Sequence, residues 1–115
     1  MTGNPVRGSR MTIAGAMLLM WAGAPLAAQD ADLEAGRLIF TEAEQPQCAR
    51  CHVLADAEAE GKVGPNLDAL KPDVDRVRAA VTSGVGIMPA FEGILSEDEI
   101  ETVSAYVAEV AGNGG

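Results

Sequence analysis

The chain has 115 residues, of which 17 are acidic and eight are basic, giving a formal net charge of −9. That length fits one small domain. The excess of negative charge excludes nucleic acid and anionic membrane surfaces as natural partners, and it favours a partner with a basic or neutral patch.

The start of the chain differs from the rest. Arg7 and Arg10 precede an uncharged, largely apolar run over residues 11–24, which is the pattern of a secretory signal peptide. We therefore predict that residues 1–28 are removed on export to the periplasm and that residues 29–115 form the functional domain. The alternative is an uncleaved anchor, because the apolar run and its small-residue end together approach the length of a bilayer span. Contact with a membrane is expected only in that case.

The strongest chemical signal is the run Cys48-Ala49-Arg50-Cys51-His52, whose Cys-x-x-Cys-His pattern is typical of covalent c-type haem attachment. Two thiols three residues apart lie on one side of a helical turn, so they can react with two vinyl groups on one edge of a porphyrin. The next residue, His52, can then bind the iron. A large apolar cofactor would also supply the core that so short a domain lacks.

A first helix is predicted over Ala31–Glu42, and Pro46 ends the segment. Gly36 lies in the middle of this helix at a cost of about 1 kcal/mol relative to alanine, which is understandable if another helix crosses closely there. The residues that share its apolar face are Leu33, Gly36, Phe40 and Ala43.

After the motif, an acidic stretch over residues 56–61 is predicted to be a solvated loop or a frayed turn. The turn Gly64-Pro65-Asn66-Leu67 follows, and we expect it to pass beside His52. A backbone carbonyl of this turn can accept a hydrogen bond from the second ring nitrogen of His52. That bond would fix the tautomer of the imidazole and raise its basicity.

The next helix is predicted over residues 72–83, with three valines on its buried face. The loop after it, residues 84–91, contains Met88, the only methionine outside the predicted signal peptide. Pro89 stiffens this loop, which lies far enough beyond His52 for the chain to reach the other face of the haem. We therefore predict Met88 as the sixth ligand of the iron.

The last helix is predicted from the capping box of Ser96 and Glu99 to about Ala111. Its apolar residues recur at helical spacing and are expected to face the core. They are Ile100, Val103, Val107 and Val110, flanked by Tyr106.

Taken in order, these features resemble the small class I c-type cytochromes from about Ala31 to Val110. The resemblance implies an all-α cytochrome c fold, in which three to four main helices wrap around one covalently bound haem c and the first and last helices cross. The matching features are Gly36-x-x-x-Phe40, the Cys48–His52 motif, Gly64-Pro65-Asn66-Leu67, and Met88-Pro89 before a last helix bearing Tyr106.

The same resemblance implies roles for single residues. Cys48 and Cys51 would form the thioethers with the haem. His52 and Met88 would bind the iron, and Pro65 would supply the carbonyl that holds His52. The residues expected at the helix crossing are Gly36, Phe40, Val103 and Tyr106.

The sequence also departs from that family. Members often hold a haem propionate with a tyrosine or tryptophan, but residues 67–84 contain no aromatic side chain. Asn66 and Lys71 are the candidates for that contact. Lys62 and Lys71 are the only lysines, so a docking face built on a ring of lysines is not expected.

These features predict an electron carrier rather than an enzyme, and no catalytic residue is predicted. A histidine and a methionine would fill both axial positions of the iron, and methionine favours the ferrous state. The expected partners are an oxidoreductase as donor and a terminal oxidase or reductase as acceptor. The acidic surface is expected to steer the protein toward a cationic partner, with rates that fall as salt rises.

Two alternatives stay open at this stage, and a third is disfavoured. The protein can be the haem subunit or dedicated electron acceptor of a periplasmic dehydrogenase, since short acidic sequences of this kind resemble the cytochrome partners of sulfite dehydrogenases. It can be a peroxidase or gas sensor if Met88 does not bind the iron. Thiol–disulfide exchange through Cys48 and Cys51 would need a thioredoxin-like strand–helix–strand pattern, which the sequence lacks.

Overall fold

The computed structural model describes residues 26–42 and 46–113, together with Gly3 and Gly15. The predicted signal peptide falls almost wholly outside these residues. Within the described ranges, no helix is both long enough and apolar enough to cross a membrane. The elements in chain order are α1 (Leu26–Glu42), α2 (Cys48–Cys51), β1 (Val53–Leu54), a 3₁₀ turn (Ala55–Ala57), β2 (Ala59–Glu60), α3 (Leu67–Leu70), α4 (Val74–Ser83) and α5 (Glu97–Val110).

The first and last helices pack against each other, as the sequence predicts. Gly36 is buried at this contact, where a Cβ atom would lie 2.8 Å from Cγ of Tyr106 and 3.1 Å from the backbone oxygen of Thr102. The rings of Phe40 and Tyr106 meet edge to face with centroids 6.3 Å apart. Val103 is also almost fully buried. The predicted crossing is therefore confirmed, although α1 begins at Leu26, earlier than expected.

The acidic stretch after the haem motif is more ordered than predicted. Instead of a solvated loop or a frayed turn, it forms an ordered 3₁₀ turn and β2, which pairs antiparallel with β1. Ala57 and Ala59 are buried within it, while the acidic side chains between and beside them are exposed. Glu58 reverses the chain in the left-handed region, at φ 53°. Burial of the two small side chains holds the stretch against the body of the protein, and the charges stay in water.

The middle helix, α4, agrees with its predicted bounds. Asp73 caps its start by accepting a hydrogen bond from the backbone N–H of Arg76 at 2.8 Å, and the chain leaves it at Gly84. Val77 and Val81 are buried. Arg78 forms ion pairs with Asp75 in the same helix and with Glu101 in α5. The pair with Glu101 links α4 to α5 on the side of α4 that carries Arg78.

The last helix begins at Ser96 with the predicted capping box. The Ser96 hydroxyl accepts from the backbone N–H of Glu99 at 3.1 Å, and the Glu99 carboxylate accepts from the backbone N–H of Ser96 at 3.0 Å. Both contacts satisfy N–H groups that the helix itself leaves without partners. Its predicted buried residues, Ile100, Val103, Tyr106, Val107 and Val110, are all buried.

Two carboxylates connect distant parts of the chain. Asp56 in the 3₁₀ turn accepts a hydrogen bond of 2.6 Å from the Tyr106 hydroxyl in α5. Burial, followed by this hydrogen bond, raises the pKa of Tyr106, so the hydroxyl remains a donor. Asp68 in α3 accepts from the backbone N–H groups of Ala55 and Gly112, both at 2.8 Å. These contacts fix the segment that follows the haem motif.

Candidate haem site

The helices leave a cavity of about 710 Å³ between them. Its walls come from α1, α2, α3, α4, α5 and the loops after β2 and α4, and most of its lining side chains are apolar. A cavity of this size and character is typical of a cofactor site. Among the described residues that line it, none is acidic, although the chain contains 17 acidic residues.

One wall is formed by the predicted attachment motif. Cys48 and Cys51 stand at the two ends of α2, both with free thiols and both partly exposed, and His52 follows at the end of that helix. All three line the cavity. His52 is 9% exposed. The turn of α2 thus brings two sulfur nucleophiles and an imidazole to the same wall.

The turn at Pro65 holds the imidazole, as the sequence predicts. The carbonyl oxygen of Pro65 lies 2.8 Å from Nδ1 of His52. A carbonyl can only accept, so Nδ1 must carry the proton, and Nε2 then keeps a free lone pair for a metal ion. Gly64 lies against the ring, since a Cβ atom there would be 2.6 Å from Cε1 of His52. Any larger residue at position 64 would displace the imidazole.

Met88 lines the same cavity from the loop after α4. This loop closes in a tight turn in which Val85 and Met88 exchange backbone hydrogen bonds of 3.1 and 2.9 Å. Gly86 takes a positive φ of 58° within the turn. Gly84 also has a positive φ, and a Cβ atom there would be 2.9 Å from the backbone nitrogen of Ala90. The backbone around Met88 is therefore fixed by hydrogen bonds and by two glycines.

The structure brings the five predicted site residues to one cavity: Cys48, Cys51, His52, Pro65 and Met88. It does not bring the two propionate candidates there. The side chain of Asn66 caps α3 by accepting from the backbone N–H of Ala69 at 3.2 Å, and the stem of Lys71 lies against Gly112. Neither residue lines the cavity.

The electrostatic environment of the motif does not suit thiol–disulfide exchange. Burial raises the pKa of the Cys48 thiol to about 11, so that thiol is protonated at neutral pH. Reactive cysteines of exchange enzymes have lowered pKa values instead. Among the described residues, the elements around α2 also lack the strand–helix–strand arrangement that this chemistry would need.

Part of the mouth of the cavity consists of exposed aliphatic side chains. Val63, Val85 and Ile87 line it and are 63%, 65% and 83% exposed, respectively. Exposed aliphatic side chains grouped around an opening are typical of an interaction surface. We call these three residues the rim.

The domain is α-helical and surrounds an apolar cavity. Two thiols and an oriented imidazole lie on one wall of this cavity, and a thioether lies elsewhere in its lining. This is the construction of a c-type haem protein. The residues present fit that group in volume, in polarity and in donor chemistry. Comparison with known proteins identifies the family. Residues 31–107 match the family model described as cytochrome c oxidase, cbb3-type, subunit III.

Relatives agree with this match. The chain is 38% identical to cytochrome c6 of Leptolyngbya boryana over 88 residues, covering 73% of this chain and 99% of that protein. It is 35% identical to cytochrome c6 of Bumilleriopsis filiformis, covering 73% and 98%. The crystal structure of the c-type cytochrome SorU from Sinorhizobium meliloti superposes with a TM-score of 0.69 at 61% identity, covering 72% of this chain and 94% of that one.

The chain therefore belongs to the small class I c-type cytochromes. The predicted all-α cytochrome c fold is confirmed, and the short β1–β2 pair is its only departure among the described elements. The protein carries covalently bound haem c and is a monohaem electron carrier, not an enzyme. As a cytochrome c it works with redox partner proteins.

Proposed function

We propose that Cys48 and Cys51 form the thioethers to the haem and that His52 and Met88 bind its iron from opposite sides. The observation that carries this assignment is that all four residues line one cavity while Pro65 occupies Nδ1 of His52. When bound, the haem supplies a one-electron couple between ferric and ferrous iron. The protein supplies the two axial ligands, an apolar wall and partial exclusion of water.

His52 and Met88 together determine what this site can do. With both residues as ligands, the iron would have no open position for oxygen or peroxide, so the site would exchange electrons without binding a substrate. The thioether of Met88 favours the ferrous state, which suits a carrier that delivers electrons to a terminal acceptor. The fixed turn around Met88 supports a ligand that stays in place in both redox states.

We further propose that the carrier works in the periplasm after removal of residues 1–28 and that its electron donor is a sulfite dehydrogenase. The signal-peptide pattern supports the location. The resemblance to cytochrome partners of such dehydrogenases supports the donor, and so does the 61% identity to SorU. A terminal oxidase or reductase is the proposed acceptor.

The test of this donor is direct reduction. Ferric protein is mixed with a catalytic amount of a bacterial sulfite dehydrogenase, and sulfite is then added. We expect two protein molecules to be reduced for each sulfite, because oxidation of sulfite to sulfate releases two electrons, and we follow the reduction by the visible spectrum of the haem. Ferric protein that stays oxidised would eliminate this donor and leave the carrier assignment intact.

Two controls complete the experiment. Cys48→Ser/Cys51→Ser protein should carry no covalent haem and show no absorbance change. Gel filtration of the mixture separates a shuttle from a subunit: co-elution of the two proteins at micromolar concentration indicates a dedicated subunit, and separate elution indicates a free carrier.

The rim is the proposed point of electron transfer. Substituting Ile87 with serine should slow reduction by the donor about fivefold, because roughly 1 kcal/mol of apolar burial in the transient complex is lost. The midpoint potential should not change, since this side chain points largely into water. Stopped-flow mixing and a redox titration measure the two quantities.

Ile94→Ser is the matched control for that variant. Ile94 is also an exposed isoleucine, at 49%, but it does not line the cavity. Equal rates for Ile87→Ser and wild type, or equal slowing in both variants, would contradict transfer through the rim. Repeating the stopped-flow measurement at increasing salt concentration tests the predicted electrostatic steering. The described residues that line the cavity include no carboxylate, so the acidic residues that would steer the partner lie elsewhere on the surface.

A further inference from the structure

A segment over residues 61–65, which we call the return segment, follows β2 and runs along α2. At its start, Gly61 lies against the backbone of α2. Further on, the backbone N–H of Gly64 donates a hydrogen bond of 2.6 Å to the carbonyl oxygen of Cys51. At its end stands the carbonyl that accepts the hydrogen bond from the ring of His52. The return segment therefore contacts the haem motif at three places.

The short helix α2 cannot fix its own position. It has only four residues, whereas isolated helices shorter than about 12 residues are marginal in water. The last carbonyl groups of a helix have no partner within it, and Gly64 satisfies the one at Cys51. The orientation of the His52 ring, which follows directly after α2, therefore depends on the return segment.

Gly61 is in such close contact with α2 that a side chain would not fit. A Cβ atom there would lie 2.6 Å from the backbone nitrogen of Cys51 and would overlap the carbonyl group of Arg50. These are backbone atoms, which cannot rotate away as the end of a flexible side chain can. The φ angle of Gly61 is not in the left-handed region, unlike those of Gly84 and Gly86, so the backbone conformation does not require glycine. The close approach to α2 does require it.

We propose that Gly61 is a positioning residue for the iron ligand, because its lack of a side chain lets the Pro65 carbonyl lie close enough to hold Nδ1 of His52. An added Cβ atom would push the return segment away from α2. The short hydrogen bond from Gly64 to Cys51 permits little independent movement between the two contacts, so the displacement would reach Pro65. The distance of 2.8 Å between the Pro65 carbonyl oxygen and Nδ1 of His52 would then increase.

This hydrogen bond acts on the redox couple through the imidazole, and the inference here rests on the proposed ligation of the iron by His52. A carbonyl that accepts from Nδ1–H raises the basicity of the ligand, so Nε2 donates more electron density to a bound metal. Stronger donation stabilises ferric iron relative to ferrous iron, because the ferric ion carries one more positive charge. A longer contact between His52 and Pro65 would therefore favour the ferrous state.

The test compares Gly61→Ala with the wild type, both as haem-loaded protein. At a fixed applied potential, the ratio of ferric to ferrous protein should fall roughly twofold to fivefold in the variant, about the equilibrium effect of weakening one hydrogen bond. His52 is the only histidine in the chain, so exchange of its Nδ1–H with deuterium can be followed in the ferrous protein by nuclear magnetic resonance without ambiguity. This exchange should become several times faster in Gly61→Ala.

Gly36→Ala is the matched control. The same added methyl group overlaps a filled contact, but at the crossing of α1 and α5, which does not involve His52 or the return segment. This variant should be less stable and should keep the wild-type ratio of ferric to ferrous protein and the wild-type exchange rate. Equal changes in Gly61→Ala and Gly36→Ala would mean that loss of stability alone is responsible, and they would overturn the proposal. A wild-type exchange rate in Gly61→Ala would also overturn it.

A second variant decides the question if Gly61→Ala yields no haem-loaded protein. Ala59→Gly adds no bulk, but it removes a buried methyl group of β2 and gives more freedom to the backbone just before the return segment. The Nδ1–H of His52 should exchange faster in this variant as well. An unchanged exchange rate would overturn the proposal.

The proposed ligation and the role of Gly61 fail in different ways. If His52 does not bind the iron, Gly61→Ala still speeds the exchange of Nδ1–H but leaves the ratio of ferric to ferrous protein unchanged. If Gly61 does not set the contact between Pro65 and His52, the exchange rate itself stays at the wild-type value.

Discussion

Replacing Met88 with alanine should lower the midpoint potential by about 0.1 V or more, within the roughly 0.8 V range over which axial ligands move haem potentials. Under the proposed ligation, loss of the thioether would remove the ligand that stabilises ferrous iron, and water or no ligand would take its place. The ferrous variant should then bind carbon monoxide, whereas the wild type is expected to exclude it. A redox titration and the carbon monoxide difference spectrum measure both changes.

The control is Val85→Ala. Val85 lines the cavity from the same turn as Met88 and pairs with it through the backbone, but it has no sulfur. This variant should keep six-coordinate iron and stay unreactive toward carbon monoxide. If Met88→Ala also leaves both properties unchanged, another group binds the iron. Reactivity of the wild type itself with carbon monoxide or peroxide would instead favour the sensor or peroxidase alternative.

The grouping of the proposed attachment residues on one wall could be predicted from sequence because Cys48, Cys51 and His52 lie within a single turn of helix. Met88 was proposed by a different route, since it is the only methionine outside the predicted signal peptide and lies in a loop stiffened by proline. A role for Pro65 could be proposed only because the Cys48–His52 motif lies nearby in the sequence, since a Gly-Pro-Asn turn alone indicates no particular function.

The place of Arg76 in the cavity lining could not be found in this way. The sequence places two arginines on one predicted helix, Arg76 and Arg78, and nothing local tells which one lines the cavity. Only the packing of α4 against α5 decides this, because it directs Arg78 to Glu101 and leaves Arg76 at the cavity. Lys71 and Asn66 were the propionate candidates in sequence, but contacts with Gly112 and Ala69 occupy their side chains.

The β1–β2 pair was missed for a related reason. Each strand has only two residues, which is too short to show alternating hydrophobicity. Its position depends on contacts from far along the chain, such as the hydrogen bond from Tyr106 to Asp56. An acidic stretch with alanines therefore resembles a loop until the surface that buries those alanines is known.

The helix crossing allows a second strong prediction. Gly36→Ala should lower the free energy of unfolding by about 1–2 kcal/mol, because forcing an added methyl group into a filled contact costs about 1–3 kcal/mol and a contact this close lies at the upper end. The new Cβ atom would fall 2.8 Å from Cγ of Tyr106 and 3.1 Å from the backbone oxygen of Thr102, so α1 and α5 must move apart. Alanine favours a helix over glycine by about 1 kcal/mol, and this gain is smaller than the steric cost.

Denaturant unfolding of the haem-loaded protein measures the change. Ala35→Ser is the control, since Ala35 is exposed on the same helix and a surface substitution there should change stability by no more than about 0.5 kcal/mol. The steric cost and the gain in helix propensity of Gly36→Ala have opposite signs, so the sign of the measured change shows which of them dominates. Stabilisation by about 1 kcal/mol would mean that helix propensity alone acts at this position and that the helices do not meet there. A loss larger than that of Ala35→Ser would mean that the absence of a side chain at Gly36 is what allows the first and last helices to close around the haem.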